Sequence, residues 1–269
     1  MLDNEYLMEN DEESLRLDLK TDNDVTARQA LWAGLQPGMR VADIGCGCGK
    51  TTSKLYDLVQ PGGSAVGIDS SEQRINFAIE HYGRPGIEFL RRAALGPLDD
   101  IGTYDFIWVR FLLEYYLTHS FDLVKNLDRL IKPGGILCLI DLDYNCLSHY
   151  GLPPRMERTI QALAKHLEEN ADFDPYVGRK LYSFLYDLGY EEINVDLTAH
   201  HLIYGPINKT DEFNWTKKVE VGVRNFGFSL DEYQGGYEEF YDEFKRSFAD
   251  PRRFTYTPVI CCRGRKPER

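Results

Sequence analysis

The chain lacks several features typical of secreted and membrane proteins. Its six cysteines include no C-x-x-C pair and form no disulfide framework, so we interpret them as reduced thiols. The first 24 residues hold nine acids and lack the basic and apolar regions of a signal peptide. No stretch approaches the roughly 20 apolar residues that a transmembrane helix needs. We therefore expect a cytoplasmic protein with no membrane partner.

Positive charge is also scarce. The 31 Lys and Arg residues are outnumbered by 43 Asp and Glu, which gives a formal net charge of -12. An acidic chain repels phosphate backbones, so we expect no nucleic-acid partner. The basic ending, with Arg263, Arg265, Lys266 and Arg269, is interpreted as a solvated tail. Neither charge nor composition indicates an oligomeric state, but 269 residues suffice to bury a full core.

The most informative segment present is a glycine-rich turn, VADIGCGCGKTT, that follows an apolar strand. Gly45, Gly47 and Gly49 alternate there, and glycine allows a ligand to lie against the main chain. A phosphate-binding Walker loop needs glycine where Ile44 stands. A dinucleotide fingerprint needs its third glycine one position later. The remaining pattern is D-x-G-x-G-x-G, beginning at Asp43.

A second acid follows the next predicted strand. The segment AVGIDSS places Asp69 at the end of that strand, 26 residues after Asp43, a spacing that suits one βαβ step. A carboxylate at this position can accept hydrogen bonds from both vicinal hydroxyls of a ribose. The alternative is that Asp69 caps the helix that starts near Ser71. Its register with the glycine turn favours the ribose.

These motifs, followed by further alternating strands and helices, resemble class I S-adenosylmethionine-dependent methyltransferases. The resemblance covers about residues 35–200 and includes a Lys-Pro-Gly-Gly turn at 132–135 before the fifth strand. It implies an α/β three-layer sandwich with a Rossmann-like fold. The sheet is expected to have seven mostly parallel strands, the last of them antiparallel, with a helical lid formed by insertions.

The resemblance also implies S-adenosylmethionine as cofactor and S-adenosylhomocysteine as product. Where many relatives carry an acid after the third strand, this chain has Arg92-Ala93-Ala94, so we expect backbone and apolar contacts to adenine. The residues expected to bind the cofactor in the main domain are Asp43, Gly45, Gly47, Gly49, Asp69, Ser70, Ala94 and Arg110.

An N-terminal helical arm is expected to lie over the cofactor site. Leu15 and Leu19 are one helical turn apart and predict an amphipathic helix, with Leu17 off that face. By analogy with methyltransferases that have an acidic arm, Tyr6 and Arg16 would close over the methionine end. The alternative is a helix packed on the sheet edge. The expected divisions are an arm at 1–30, a methyltransferase domain at 31–269, and lid insertions at about 144–177 and 203–250.

Aromatic residues are concentrated in the second half. Residues 144–256 hold 21 of the 34 Phe, Trp and Tyr residues, which suits a pocket for a flat or apolar acceptor. Ordinary core packing is the alternative, and we favour it for most of them, including the helical series from Tyr237 to Phe248. The substrate-pocket candidates lie near strand ends or in loops: Tyr144, Tyr150, Tyr204 and Trp215.

Candidate catalytic groups are few. Methyl transfer is an in-line displacement, and a base is needed only when the acceptor must lose a proton. Asp143 and His149 follow the fifth strand, where an acceptor would approach, and are the candidate bases. Glu114 is interpreted as a helix-start residue. His200 and His201 are adjacent on a strand and should face opposite sides, so we expect no metal site.

The sequence therefore predicts methyl transfer to an oxygen or nitrogen of a small, possibly aromatic acceptor. A cofactor-binding regulatory protein without transferase activity is the alternative, because it would keep the glycine turn and Asp69. A phosphate-loop NTPase is a third hypothesis, which the misplaced glycine disfavours.

Overall fold

One mixed sheet with helices on both faces organises the computed structural model, which describes residues 13–224 and 226–268. The strands are β1 (Arg40–Ile44), β2 (Ser64–Asp69), β3 (Ile87–Arg91), β4 (Tyr104–Arg110), β5 (Ile131–Leu142), β6 (His149–Tyr150), β7 (Glu191–Tyr204) and β8 (Phe254–Arg265). The α-helices are α1 (Glu13–Lys20), α2 (Asn23–Ala33), α3 (Lys50–Leu58), α4 (Glu72–Tyr82), α5 (Ser120–Asp128), α6 (Pro154–Asn170), α7 (Leu181–Asp187), α8 (Lys209–Arg224) and α9 (Gly236–Ala249).

The sheet confirms the predicted topology. Its order is β3-β2-β1-β4-β5-β8, with β7 paired to β8. The first five strands are parallel, and β8 runs antiparallel to both β5 and β7. The eighth strand, β6, is a two-residue pairing with the start of β8. The strand order reverses between β1 and β4, the position where open α/β sheets bind ligands.

The central strands are buried on both faces. In β4, Ile107 and Val109 pack into one apolar cluster, while Phe106 and Trp108 pack into another on the opposite face. This alternation follows from the two-residue period of a strand, and burial on both sides explains its nearly continuous apolar sequence. The buried sheet therefore gives the strand ends a fixed frame.

A third apolar cluster joins α6, α8 and α9 into a helical cap. Phe240, Phe244 and Phe248 are spaced by four residues along α9 and are almost fully buried in this cluster. Trp215 of α8 and Met156 of α6 pack against the same group. These helices come from the two segments predicted as insertions, and their aromatic residues serve mainly as the core that was favoured for them.

The basic ending does not form the predicted solvated tail. Strand β8 continues to Arg265, whose guanidinium donates to Glu192 and to the carbonyl oxygen of Gly134. The Lys266 ammonium donates to the carbonyl oxygen of Asp128 at 2.7 Å. The tail prediction was wrong because strand pairing and carbonyl acceptors from distant segments hold these cations.

The arm also presents a different face from the predicted one. Leu15 and Leu19 are 55% and 63% exposed, whereas Ser14 and Arg16 are buried. Leu17 lies over the glycine turn, with its Cδ1 3.1 Å from where a Cβ would stand on Gly47. The apolar spacing was therefore misleading, because a polar environment in the site receives Arg16.

Among the described residues, no helix is long and apolar enough to cross a membrane.

Candidate active site

The glycine turn lies at the carboxyl end of β1 and leads into α3. The backbone N–H groups of Gly45 and Cys46 donate to the carbonyl oxygen of Ile68 at 2.8 and 2.9 Å. All three glycines have positive φ angles, 76° at Gly45, 53° at Gly47 and 86° at Gly49, which favours glycine at each position. The turn is thus bonded to the end of β2. Its backbone lies at the edge of the sheet formed by the carboxyl ends of the strands, where ligands bind in open α/β sheets.

The three glycines differ in what they touch. Gly45 and Gly47 line cavities at the ends of the strands. A Cβ on Gly49 would come within 2.7 Å of the Ala78 Cβ and 2.8 Å of the Phe89 ring. Gly49 therefore allows the turn to pack against α4 and β3, while a Cβ on Gly45 would meet Leu112 at 3.0 Å and one on Gly47 would meet Leu17 at 3.1 Å.

Asp69 connects the glycine turn to the start of α4. Its Oδ2 accepts the Gly47 N–H at 2.9 Å, and its Oδ1 accepts the Ser71 N–H at 2.9 Å and Nε of Arg74 at 3.1 Å. The side chain is 8% exposed and lines a cavity. The hydroxyl of Ser71, rather than Asp69, caps α4 by accepting the N–H of Arg74. Asp69 is therefore not the cap of α4, although it bonds to Ser71 and Arg74 at the start of that helix, and its contact with a ribose stays a prediction.

The cavity beside Asp69 has the character expected for an adenosine site. Ser70 and Ala94 line it, together with Leu17, Ile68 and Tyr116. Its outer Arg92 is turned to Asp100 in an ion pair at 3.0 Å. The Asn126 amide holds the loop by donating to the carbonyl oxygens of Ala94 and Gly96, both at 2.9 Å. The walls of this cavity combine apolar side chains with the polar residues Asp69, Ser70, Arg74 and Arg92.

A second cavity continues past the glycine turn towards β4. Asp43 lines it and accepts the hydroxyl of Thr52 at 2.7 Å, and burial raises the pKa of Asp43 to about 7. Arg110 lines the opposite side with its guanidinium 4.1 Å from the Phe111 ring. Burial lowers the pKa of Arg110 to about 10, and its Nε has no hydrogen-bond partner among the described residues.

A third cavity opens under the helical cap. Its apolar walls come mainly from the cap helices and include Ile160, Leu163, Leu167, Trp215, Val219 and Phe244. Gly222 of α8 also lines it, and its missing side chain leaves room there. Polar side chains line the same cavity: Arg16, Lys20, Glu114, Asn145 and Lys218. Such a pocket suits an apolar ligand with one polar end.

Glu114 stands on the border between the second and third cavities. It lies on a short 3-10 turn, Leu113–Tyr115, whose first two N–H groups donate to Oδ2 of Asp141 at 2.9 and 3.3 Å. Its own Oε2 accepts the amide of Asn145 at 2.6 Å, and the side chain is 3% exposed. Burial raises the pKa of Glu114 above its usual value.

Sequence reasoning missed this role for Glu114 by treating it as a helix-start residue. The available signal was its place four residues after Arg110, just beyond the end of β4 at the ligand edge. Three of the border residues, Arg16, Lys20 and Tyr115, line both cavities with it. The structure therefore brings a buried acid and two cations to the boundary between the second and third cavities.

The two predicted catalytic residues are held elsewhere. Asp143 accepts Nε and Nη2 of Arg179 at 2.8 and 3.0 Å. His149 bonds through Nδ1 to the hydroxyl of Thr255 and through Nε2 to the carbonyl oxygen of Cys146, both at 2.9 Å. Burial lowers the pKa of His149 to about 4. Neither residue lines the three cavities, so the structure does not place them as bases.

One of the four aromatic residues that were predicted to line the substrate pocket lies in the wall of the third cavity. Trp215 does so and is 2% exposed. Tyr144, Tyr150 and Tyr204 are 45%, 74% and 66% exposed and line none of the three cavities. Proximity to strand ends was a poor guide for them, because the cap helices, not the loops, form the pocket wall.

His200 and His201 differ from the alternation expected on a strand. Their ring centroids are 4.2 Å apart, and the pairing of β7 with β8 shifts register between Ala199 and His201. A β-bulge changes which way neighbouring side chains point, so both rings turn inward. No group of three or more potential metal ligands occurs among the described His, Cys, Asp and Glu residues.

The arm contributes directly to the site. Arg16 is 3% exposed and lines both the second and third cavities, while Leu17 covers the glycine turn. The Lys50 ammonium donates to the carbonyl oxygen of Asp18 at 2.6 Å, and Asp18 also accepts the hydroxyl of Tyr82. Tyr6, the other residue predicted to close over the methionine end, lies outside the described residues.

Comparison with known proteins shows that part of this chain is similar to methyltransferases. Residues 42–137 match the model of a methyltransferase domain. Demethylmenaquinone methyltransferase of Lactococcus lactis subsp. lactis is 29% identical over 119 residues, which are 42% of this chain and 46% of that protein. Ubiquinone biosynthesis O-methyltransferase of Burkholderia pseudomallei is 27% identical over 169 residues, covering 61% and 70%. The chain spans about half the length of the first of these relatives.

The fold has solved counterparts over nearly its whole length. A Haemonchus contortus N-methyltransferase 2, solved with S-adenosylhomocysteine, matches with a TM-score of 0.57 at 14% identity. The match covers 94% of this chain and 57% of that one. At this identity the likeness establishes the fold. The matched segment of this chain contains the glycine turn and Asp69, which form the first cavity.

Proposed function

We propose that this protein is a small-molecule methyltransferase. Its chain matches a methyltransferase domain and has a Rossmann-like fold, and the cofactor is S-adenosylmethionine. The methyl group would pass to an oxygen or nitrogen of a small, mainly apolar acceptor. The observation that carries this proposal is the contact between two sites. A cofactor-type cavity along the strand ends and an apolar cavity under the cap share Arg16, Lys20, Glu114 and Tyr115.

The residues along the strand ends fit the cofactor. Gly45 and Gly47 line the first cavity, and Asp69 offers carboxylate oxygens to ribose hydroxyls. The buried Nε of Arg110, which lacks a partner among the described residues, gives the second cavity a donor for the methionine end. When bound, S-adenosylmethionine supplies an electrophilic methyl group on a sulfonium.

The arm is proposed to cover this cofactor. Leu17 lies over Gly47, and the Lys50 bond to the Asp18 carbonyl ties α1 to the helix that follows the glycine turn. Residues 1–30 then act as the covering arm of a domain over 31–269, and 144–177 and 203–250 supply the lid. A covered site excludes water from the reacting atoms.

Glu114 is the proposed general base. It borders both cavities, its backbone is held by Asp141, and its carboxylate is oriented by Asn145. A raised pKa brings a carboxylate closer to the range in which it accepts a proton effectively near neutral pH. The larger share of the rate would come from alignment, which in favourable models supplies on the order of 7–11 kcal/mol.

The names of the relatives support a ring-bearing acceptor. One relative is named for demethylmenaquinone, and the other is named a ubiquinone biosynthesis O-methyltransferase. An apolar wall that includes Trp215 and Phe244 suits a flat ring.

Calorimetry and turnover test the proposal. S-adenosylhomocysteine should bind, and ATP with magnesium should not. The protein should then convert S-adenosylmethionine to S-adenosylhomocysteine in the presence of members of a panel of hydroxylated and amino aromatics. Binding of ATP without S-adenosylhomocysteine would overturn the proposal. Binding of S-adenosylhomocysteine with no turnover across the panel would favour the regulatory alternative.

A further inference from the structure

We infer that the acceptor is an acidic oxygen compound, a phenol, enol or carboxylic acid, bound as its anion by Lys218 and Lys20, and not an amine. This inference rests on the proposed methyltransferase function. It starts from the charged side chains that line the cavity under the cap, where the described residues place Lys20 and Lys218 with one acid, Glu114.

The position of these charges identifies which part of the acceptor they meet. Lys20 and Glu114 line both the acceptor cavity and the cavity at the glycine turn, so they lie where the two ligands would meet. The apolar wall includes Phe244, and Trp215 connects this wall to the lysines, because the Lys218 ammonium lies 5.3 Å from the centroid of the Trp215 ring. An acceptor that places its ring on the apolar wall therefore presents its polar atom to the lysines and the cofactor. That atom is the one to be methylated.

The partners of the lysines are weak. The Lys218 ammonium reaches the amide oxygen of Asn145 at 3.5 Å and the Cys146 sulfur at 3.8 Å, distances at which hydrogen bonds are long. The Lys20 ammonium lies 5.4 Å from the centroid of the Phe111 ring. Burial, followed by repulsion from Lys218 and Arg16, lowers the pKa of Lys20 well below its usual value. Among the described residues, Glu114 is the carboxylate whose charge acts on both lysines, and it forms no direct ion pair with either of them.

The cofactor does not supply the missing anion. S-adenosylmethionine carries one carboxylate, one ammonium and one sulfonium, so its binding adds a net positive charge to a cationic site. An alkylamine acceptor would enter as another cation at neutral pH, at a cost from like-charge repulsion in a poorly solvated space. An oxyanion would instead be attracted by the two lysines and the sulfonium together.

The reaction balances with the groups present. An acceptor that enters as its anion has already lost its proton, whereas a phenol or enol that enters neutral passes its hydroxyl proton to the carboxylate of Glu114 and becomes the anion. The acceptor oxygen then forms its bond to the methyl carbon as the carbon–sulfur bond breaks and its electron pair stays on sulfur. One negative and one positive charge disappear, leaving a neutral ether and neutral S-adenosylhomocysteine. An amine would instead leave a new positive charge beside Lys20 and Lys218 until it lost a proton.

Matched probes test the inference in the full chain saturated with S-adenosylhomocysteine. We would compare 2-naphthoate, 2-naphthylmethanol and 2-naphthylmethylamine, which share a ring and differ in charge, by calorimetry. We expect 2-naphthoate to bind most tightly and the amine least tightly. Lys218→Met should weaken 2-naphthoate about tenfold or more while changing the alcohol little, because a charged hydrogen bond is lost. Lys218→Arg should retain the preference for the anion.

The control is Lys165→Met, on the exposed side of α6, where the Lys165 side chain is 74% exposed. It should leave all three affinities unchanged. Equal or tighter binding of the amine, or a Lys218→Met variant with an unchanged preference, would overturn the inference. Because S-adenosylhomocysteine binding is measured first, its absence would refute the proposed function itself. Its presence together with a preference for the amine would refute only the oxygen assignment.

Discussion

The cofactor cavity and the acceptor cavity are built in different ways. The cofactor cavity is formed by backbone at the ends of β1 and β2 and by the carboxylates of Asp43 and Asp69. These two acids are only 26 residues apart in the sequence. The second uses side chains from α6, α8 and α9, helices that are far apart in sequence. We therefore expect the backbone-built cofactor cavity to tolerate few substitutions. The cavity built from helix side chains can change shape while the sheet stays the same.

The physical reason lies in what holds each wall. Hydrogen bonds from Gly45 and Cys46 to Ile68, and from Gly47 to Asp69, fix the glycine turn to β2. The acceptor wall is held by apolar packing, which has no required direction. Substitutions there change shape before they break the fold. Variants that separate cofactor binding from acceptor binding therefore test the contrast.

The largest expected effect is on Glu114, at the border of the two cavities. Glu114→Gln should lower kcat by about 10²–10⁴-fold, because the base is lost while the shape is kept. Affinity for S-adenosylhomocysteine, measured by calorimetry, should stay within a few-fold. Since burial raises the pKa of Glu114, the rate of the natural protein should rise with pH above the usual carboxylate range. This rise should disappear in the variant.

Asp143→Asn and His149→Gln serve as comparison variants for that experiment. Both residues are bonded to protein groups away from the cavities. Folded samples of these variants should keep kcat within a few-fold. Full turnover in Glu114→Gln, together with loss of turnover in Asp143→Asn, would return the base to the residue that sequence reasoning chose.

Asp69→Ala should act on the cofactor side alone. We expect its affinity for S-adenosylhomocysteine to weaken by about 1.5–3 kcal/mol, as for loss of a hydrogen-bonded charge, with 2-naphthoate binding nearly unchanged. Calorimetry of both ligands gives the comparison. The control is Glu72→Ala at the start of α4, the helix that follows Asp69. The exposed Glu72 carboxylate pairs with Arg91. Unchanged cofactor affinity in Asp69→Ala would remove Asp69 from the ribose.

Gly222 tests the acceptor side. Gly222→Leu should fill the cavity and weaken 2-naphthoate by about 1–3 kcal/mol through overpacking, while S-adenosylhomocysteine binding is retained. A Cβ at this position would meet Leu163 at 3.6 Å, an ordinary contact. Gly222→Ala should therefore raise the unfolding free energy by about 0.4–1 kcal/mol and leave the probe bound. Normal probe binding by the Leu variant would place the acceptor elsewhere.

The last expected effect concerns stability rather than ligand binding and involves Asp43. Its folded pKa of about 7 lies above its unfolded value, so its favourable contribution to stability is present below pH 4 and is lost as the pH rises through 7. Asp43→Asn should leave the unfolding free energy similar at pH 5 and raise it by about 1–3 kcal/mol at pH 8. Urea unfolding at both values measures this difference. A difference of equal size at pH 5 and pH 8 would contradict the raised pKa.

The sequence by itself determined the cofactor half. The glycine turn, Asp69 and the strand order were predictable because each depends on local backbone geometry and on short, repeated βα connections. Tertiary structure decided the acceptor half. Asp143 is bonded to Arg179, which lies 36 residues later in the sequence. The bulge at His201 depends on the pairing of β7 with β8.

Glu114, Lys20 and Lys218 lie far apart in sequence and meet only when the arm and the cap close on the strand ends. A site made of backbone can be recognised in sequence, because its hydrogen bonds follow from a local pattern. A site made of side chains from distant helices exists only where packing brings those helices together.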